Sequence, residues 1–173
     1  NPLIKTVSYL LYAGILLHAI QGWALWQKNR KARGSQRYAV KVNRVVGTNS
    51  FAASNMAWLG TIIFVFIVVH MYQFWLQMKL GATPMATYDG KTVKDLYALV
   101  SATYQNLGFV IFYVVSMVVI AYHLLHGFQS AFQTLGINHR KYTPFIKGVG
   151  IAYAILIPLG FASIPIIMYL QQL

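Results

Sequence analysis

Four long runs of apolar residues, separated by shorter polar segments, set the pattern of this chain. At about 1.5 Å per residue, each run is long enough for a helix to cross the roughly 30 Å hydrocarbon core of a bilayer. Backbone groups in hydrocarbon must be hydrogen-bonded within their own segment, which favours helices here, since no barrel-like alternation is visible. The pattern predicts an all-α, polytopic membrane helical bundle that forms one domain over 1–173, with transmembrane helices at about 3–27, 56–78, 107–132 and 147–170.

Composition narrows the class further. Hydrophobic residues make up 58% of the chain, aromatic residues 15% and charged residues only 9%. A soluble domain carries about 25% charged residues, so a soluble globular enzyme is excluded, and the aromatic content excludes a disordered chain. There are no cysteines, so the chain cannot build a disulfide framework, a thiolate zinc site or a thioether-linked haem.

The charge distribution predicts a topology. Fourteen Lys and Arg residues face two acidic residues, a net charge of +12. The bases flank apolar runs, as expected for a membrane protein, so no nucleic-acid partner is expected. Seven bases lie in 28–44 and three in 134–147, whereas both acids lie in the 79–105 link. The positive-inside rule therefore predicts 28–55 and 134–147 in the cytoplasm and 79–105 outside.

The 79–105 link is long enough to hold structure of its own. Thr83-Pro84 and Asp89-Gly90 predict turns. The segment from Val93 to Tyr104 predicts a short helix lying at the membrane interface, with its tyrosines at headgroup level.

Three of the predicted spans carry histidines. Ionisable residues inside a bilayer are costly and are usually functional. With the predicted topology, His18 and His123 lie at nearly the same depth, about 13 and 15 Å from the inner ends of their helices, whereas His70 lies in the outer half without a partner. This spacing predicts one paired inner site and one half-built outer site. The alternative is that each histidine only hydrogen-bonds a neighbouring helix.

Glycines lie one turn from both inner histidines. Gly14, His18 and Gly22 share one helix face, and His123 and Gly127 repeat the four-residue spacing. Small residues leave room for something flat and wide, and imidazoles from two helices can ligate a haem iron. Ordinary packing of small residues between membrane helices is the alternative interpretation.

Other polar residues are candidates for supporting roles. His126 points about 60° away from His123, so it is predicted to bond a haem propionate or to act as a second-shell donor. Ser130 is a further second-shell candidate, on the face of His123 and Gly127. Simple interhelical bonding is an equal alternative for His126. Candidate quinone residues lie towards the outer side, where interhelical bonding is again an equal alternative for the glutamines: Gln73, Gln77, Tyr88 and Asp89.

The motifs resemble a known family. Residues 121–129, AYHLLHGFQ, followed by Thr134-Leu135-Gly136, resemble the haem-binding helix of respiratory complex II membrane anchors. Residues 17–22, LHAIQG, and 69–73, VHMYQ, resemble its companion helices. The resemblance is closest to the single-chain, five-helix, two-haem cytochrome b subunit of bacterial succinate dehydrogenase and quinol:fumarate reductase, the b558 type. It covers the whole chain but begins at the family's second helix.

The resemblance implies roles for the histidines. His18 and His123 would ligate one haem b wholly within this chain, near the cytoplasm. His70 would ligate an outer haem b opposite a histidine on a helix that precedes Asn1. Family anchors often carry an Arg-His pair after the glycine, where this chain has Gln129 and Ser130.

The resemblance also implies partners and a location. A flavoprotein subunit that holds FAD and an iron–sulfur subunit would sit on the cytoplasmic side of the bacterial inner membrane. The chain would be a non-catalytic subunit that passes electrons to a quinone pool, with menaquinone the expected type. Two alternatives stay open: a cytochrome b anchor for a hydrogenase or formate dehydrogenase, and a non-redox membrane scaffold or transporter.

Overall fold

Four membrane-length helices dominate the fold. The computed structural model describes residues 1–35, 50–137 and 139–173. Four helical stretches within them are long and apolar enough to cross a membrane. The prediction of an all-α, polytopic helical bundle with four spans is therefore confirmed. The helices are α1 (Pro2–Arg33), α2 (Ser50–His70), α3 (Gln77–Leu80), α4 (Leu96–Thr103), α5 (Leu107–Thr134) and α6 (Thr143–Leu170).

The first helix is longer than the predicted 3–27. It continues through the basic residues to Arg33 and ends at Gly34, whose φ of 70° is readily adopted by glycine. Lys and Arg are good helix formers, and their charge is favourable at a helix C-terminus, so the polar stretch extends the helix. The remaining predicted inner bases, Arg37, Lys41 and Arg44, lie outside the described residues.

The second span is interrupted where the sequence predicts one continuous helix over 56–78. It begins at Ser50, and directly after His70 the backbone changes to a π-helix over Met71–Leu76 before α3 completes the span. The wider π turn rotates the side chains that follow His70 relative to those that precede it.

Neighbouring helices run antiparallel. Phe51 at the start of α2 contacts Tyr122 late in α5, whereas Phe66 contacts Tyr113 early in α5, with ring centroids 5.9 and 5.3 Å apart. Tyr12 early in α1 meets Trp75 late in the second span, 6.2 Å away. The basic end is therefore where α1 and α5 finish and α2 and α6 begin.

The two last helices pack through small residues. The buried positions of α6 recur every three or four residues on one face: Gly150, Ala154, Pro158, Ala162 and Pro165. Small side chains let helix backbones approach closely in a membrane. At Gly150 the Phe128 ring of α5 lies so near that a Cβ atom would overlap it. This contact fixes α5 against α6.

The opposite end of the bundle carries a β-hairpin, and we name it the hairpin end. Strands β1 (Met85–Tyr88) and β2 (Lys91–Lys94) pair antiparallel around Asp89 and Gly90, which have φ angles of 49° and 74°. Two positive φ values in a two-residue loop match the right-handed twist of a hairpin. The prediction of one helix from Val93 to Tyr104 is therefore wrong for its first residues. Helix α4 starts after Asp95, whose carboxylate accepts from the Ala98 N–H at 2.9 Å.

The close approach at Gly150 yields a test. Gly150→Ala places a methyl group into the Phe128 ring, and we expect it to lower the free energy of unfolding by about 1–3 kcal/mol because the packed interface must open. Thermal unfolding of the detergent-purified protein measures the change. Gly148→Ala is the matched control, since nothing lies within 4 Å of a Cβ atom there. Equal effects of the two substitutions would contradict the packing described.

Candidate functional site

Two imidazoles meet between α1 and α5. The ring centroids of His18 and His123 lie 6.0 Å apart, and the ring planes are nearly perpendicular at 86°. The depth matching in the sequence predicts this proximity. His18 is exposed on the described chain, whereas His123 is half-buried. The two helices thus bring two imidazole rings together.

Open space surrounds this histidine pair. A Cβ atom built on Gly14, Gly22 or Gly127 would meet no atom within 4 Å beyond its own helix and chain neighbours. No residue of α1 is buried, whereas α5 buries residues in its first half, between Val110 and Met117, and α6 buries residues from Gly150 to Pro165. The glycines of α1 and α5 therefore leave free space one turn from each imidazole. We name this space the α1 slot.

Several buried polar atoms near the slot have no hydrogen-bond partner in the described chain. They are the Nδ1 atoms of His123 and His126 and the Oε1 atom of Gln129, all on α5. Buried polar groups in native proteins are almost always bonded to protein, water or a ligand. The inner half of α5 therefore offers polar atoms to something besides this chain.

His126 is held within its own helix. Its Nε2 atom lies 3.1 Å from the Ser130 hydroxyl, one turn along α5. This contact lies within α5, so Nε2 of His126 does not form the interhelical bond that was the alternative for this residue. Its Nδ1 atom has no partner among the described residues, and the role of His126 beside a cofactor stays a prediction.

The histidine pair and the slot fit a haem. Two metal–imidazole bonds of about 2 Å each, plus the distance from each nitrogen to its ring centre, add to roughly 6 Å. The 6.0 Å separation of the rings agrees with a shared metal ion. The glycines provide the width that a porphyrin ring needs beside each imidazole, and the unbonded Nδ1 of His123 retains a hydrogen-bonding position.

The third histidine has an aromatic environment. His70 lies within ring-contact distance of Phe66, Phe74 and Tyr113, at 5.8, 5.2 and 6.1 Å between centroids. All five histidines of the chain are among the described residues, and no other imidazole forms a ring contact with His70. Its side chain is exposed on the surface of the four spans. The half-built outer site predicted for His70 thus corresponds to an open face.

A tyrosine next to this face was missed by the sequence reasoning. The Tyr113 hydroxyl donates to Gln73 Oε1 at 2.7 Å, linking α5 to the π-helix. Tyr104 packs on Tyr113 with centroids 5.2 Å apart, and burial raises the pKa of Tyr104 to about 12, so its phenol stays neutral. The three aromatic residues Phe109, Phe112 and Tyr113 indicate an aromatic contact, but they do not reveal the partner 40 residues away.

The candidate quinone residues do not form one cluster of side-chain contacts. Gln73 is engaged by Tyr113, and Gln77 donates to the Tyr72 carbonyl of its own span at 3.3 Å. Tyr88 and Asp89 are exposed at the tip of the hairpin. The interhelical bonding weighed as an alternative for Gln73 is present.

A small cavity lies between α5 and α6 at the basic end. It has room for about one water molecule, and its polar lining comes from Gln129, Gln133, Thr143 and Lys147. Gln129 belongs both to this lining and to the row of unbonded polar atoms that begins at His123. Polar groups therefore continue from the histidine pair towards the basic end.

Comparisons with protein-family models, with curated protein sequences and with solved structures find no match for this chain.

Proposed function

We propose that this chain is a di-haem cytochrome b membrane anchor of the succinate dehydrogenase and quinol:fumarate reductase type. It passes electrons between a cytoplasmic iron–sulfur subunit and the membrane quinone pool. The observation that carries the proposal is the His18–His123 contact, with its rings 6.0 Å apart beside a glycine-lined slot. The four membrane-length helices support the role of an anchor.

The chain's own residues would hold the inner haem. His18 and His123 would supply the axial nitrogens from α1 and α5, and Gly14, Gly22 and Gly127 would admit the macrocycle. When bound, the haem supplies reversible one-electron transfer. His126, with one nitrogen already bonded to Ser130, would hydrogen-bond the polar edge of the group through Nδ1. The surrounding apolar side chains would exclude water and tune the reduction potential.

The outer haem would be held in part by another helix. His70 offers one nitrogen on an exposed face, and its aromatic neighbours Phe66, Phe74 and Tyr113 form one wall. A second residue that holds this haem would come from a helix other than the four described. The hydrogen bond between Tyr113 and Gln73 would keep this wall fixed.

The charge distribution supports the orientation, and the family resemblance implies the location and the partners. Ten of the fourteen basic residues lie in the segments 28–44 and 134–147, and neither segment contains an acid. By the positive-inside rule, the basic end would face the cytoplasm of a bacterium, with the chain in the inner membrane. The FAD-bearing flavoprotein and the iron–sulfur subunit would assemble at this end, and menaquinone would be the quinone.

The histidine pair gives the first test of this proposal. His18→Ala and His123→Ala should each abolish the same haem, because each removes one axial ligand of one iron. Visible spectra and redox titration of the purified complex measure which haem is lost. His126→Ala should shift a midpoint potential and retain both haems, and His139→Ala in the α5–α6 turn is the inert control.

The outcomes separate the alternatives. Loss of different haems from the His18 and His123 variants would refute the shared site. A colourless wild-type protein would favour a non-redox scaffold. Normal haem spectra in a complex that co-purifies with hydrogenase or formate dehydrogenase subunits would assign this chain as the membrane anchor of that enzyme instead.

The slot gives the second test. Gly127→Leu fills the space beside His123, so we expect the inner haem content to fall at least about tenfold while the protein still folds. Pyridine haemochrome absorbance per mole of protein measures haem content. Gly160→Leu in α6 is the matched control, since a Cβ atom there also meets nothing within 4 Å and lies away from the histidines. Full haem content in Gly127→Leu would show that the slot serves another purpose.

The topology gives the third test. The natural chain has no cysteine, so single cysteines report without background. Arg33→Cys and Lys141→Cys should react with a membrane-impermeant maleimide only after the cells are opened, whereas Lys91→Cys in the hairpin should react in intact cells. Labelling of Arg33→Cys from outside would reverse the proposed orientation.

A further inference from the structure

Two tryptophans and two arginines share one face of α1 at the basic end. Trp23, Trp26, Arg30 and Arg33 follow the spacing i, i+3, i+7 and i+10, which places them along one side of a helix. The Trp23 and Trp26 rings lie 4.9 Å apart, and the Arg30 Cζ atom is 5.4 Å from the centre of the Trp26 ring. We name these four residues the Trp–Arg face.

The arginines of this face have no acidic partner in the chain. Only two acids exist in the whole sequence, Asp89 and Asp95. Both lie at the hairpin end, and the Asp95 carboxylate caps α4. Arg30 and Arg33 are exposed. No acid of this chain pairs with them, so both guanidinium groups are available to an anion from outside the chain.

The geometry holds the positive charge at the level of the membrane surface. Arg30 reaches back by one turn towards the apolar part of α1, so its guanidinium lies over the Trp26 ring. Tryptophan concentrates at the boundary between hydrocarbon and headgroups. Lipid phosphates lie at this level, whereas a soluble protein would contact side chains that project beyond it.

We propose that the Trp–Arg face binds the headgroup phosphate of an anionic phospholipid. The planar guanidinium groups donate paired hydrogen bonds to phosphate oxygens, and the tryptophan rings pack against the glycerol and upper acyl chain. This inference goes beyond the proposed electron transfer and requires only that α1 spans the membrane.

Lys28 and Lys31 provide a matched control on the same two turns. At 100° per residue Lys28 lies opposite the centre of the Trp–Arg face and Lys31 lies about 120° from it, and both are exposed. Lys28→Gln with Lys31→Gln removes as much charge as Arg30→Gln with Arg33→Gln. General attraction to an anionic surface predicts equal effects of the two pairs, whereas a site predicts unequal effects.

The experiment uses quenching of tryptophan fluorescence. The full chain, with Trp58→Phe and Trp75→Phe so that only Trp23 and Trp26 report, is reconstituted in phosphatidylcholine vesicles. A minority of the lipid is brominated phosphatidylglycerol or, in parallel, brominated phosphatidylcholine. The ratio of the two quenching efficiencies gives the preference for the anionic lipid. Circular dichroism checks that each variant keeps its helices.

We expect a clear preference for phosphatidylglycerol in the parent chain. It should fall about tenfold in the double Arg→Gln variant and no more than about threefold in the double Lys→Gln variant. The Arg30→Lys with Arg33→Lys variant, which keeps the charge but loses the planar fork, should be intermediate.

Three results would overturn the proposal. Equal quenching by the two lipids in the parent chain would show that no anionic lipid is selected. Equal losses of lipid preference in the arginine and lysine variants would show that the preference comes from general attraction to an anionic surface. An arginine variant that keeps its lipid preference but no longer retains a soluble subunit during purification would assign the face to a protein partner.

Discussion

Close packing decides which helices of this bundle hold together, because inside a bilayer helices gain nothing from hiding apolar side chains from water. Helices α5 and α6 meet through a face of small residues, and Phe128 fills the space at Gly150. Helices α2 and α5 meet through edge-to-face and tilted contacts between aromatic rings, in which Phe66 packs against Phe112 and Tyr113. Helix α1 has neither device and buries no residue, so its ring contacts, Tyr12 with Trp75 and His18 with His123, mark its position.

This difference explains why the candidate site lies beside α1. A tightly packed pair of helices leaves no room for a large group, as the α5–α6 contact shows. The glycines at positions 14, 22 and 127 lie one turn from the two imidazoles and carry no side chain, and no described residue occupies the place where their Cβ atoms would be. A haem in the slot would supply the contact area that α1 lacks. Cofactor binding and docking of the first helix would then be one event.

The sequence predicts the spans well because their signal is strong, and it predicts the local departures poorly because their signal is weak. The number and approximate positions of the spans follow from hydropathy. The end of α1 was placed too early because the change to basic residues was interpreted as a loop. The hairpin was missed although Asp89-Gly90 is a typical two-residue turn. The π-helix after His70 arises from packing of the second span, which no local pattern shows.

The candidate site likewise has contacts that the sequence predicts and one contact that it does not. The proximity of His18 and His123 could be derived because chain direction and residue counts fix depth in a membrane. The bond between His126 and Ser130 is within reach of sequence reasoning, since residues four apart on a helix face each other. The bond between Tyr113 and Gln73 is not, because it depends on the rotation of two helices about their axes.

Depth is the quantity on which both proposals depend. A helix with few packing contacts can slide along the membrane normal, and its position is then set by residues anchored at the interface. A slip of one turn, about 5.4 Å, would move His18 by nearly the whole 6.0 Å that separates its ring from that of His123. The Trp–Arg face begins only five residues beyond His18 on the same rigid helix. Anchoring those rings and guanidinium groups at the headgroups therefore holds the first imidazole level with the second.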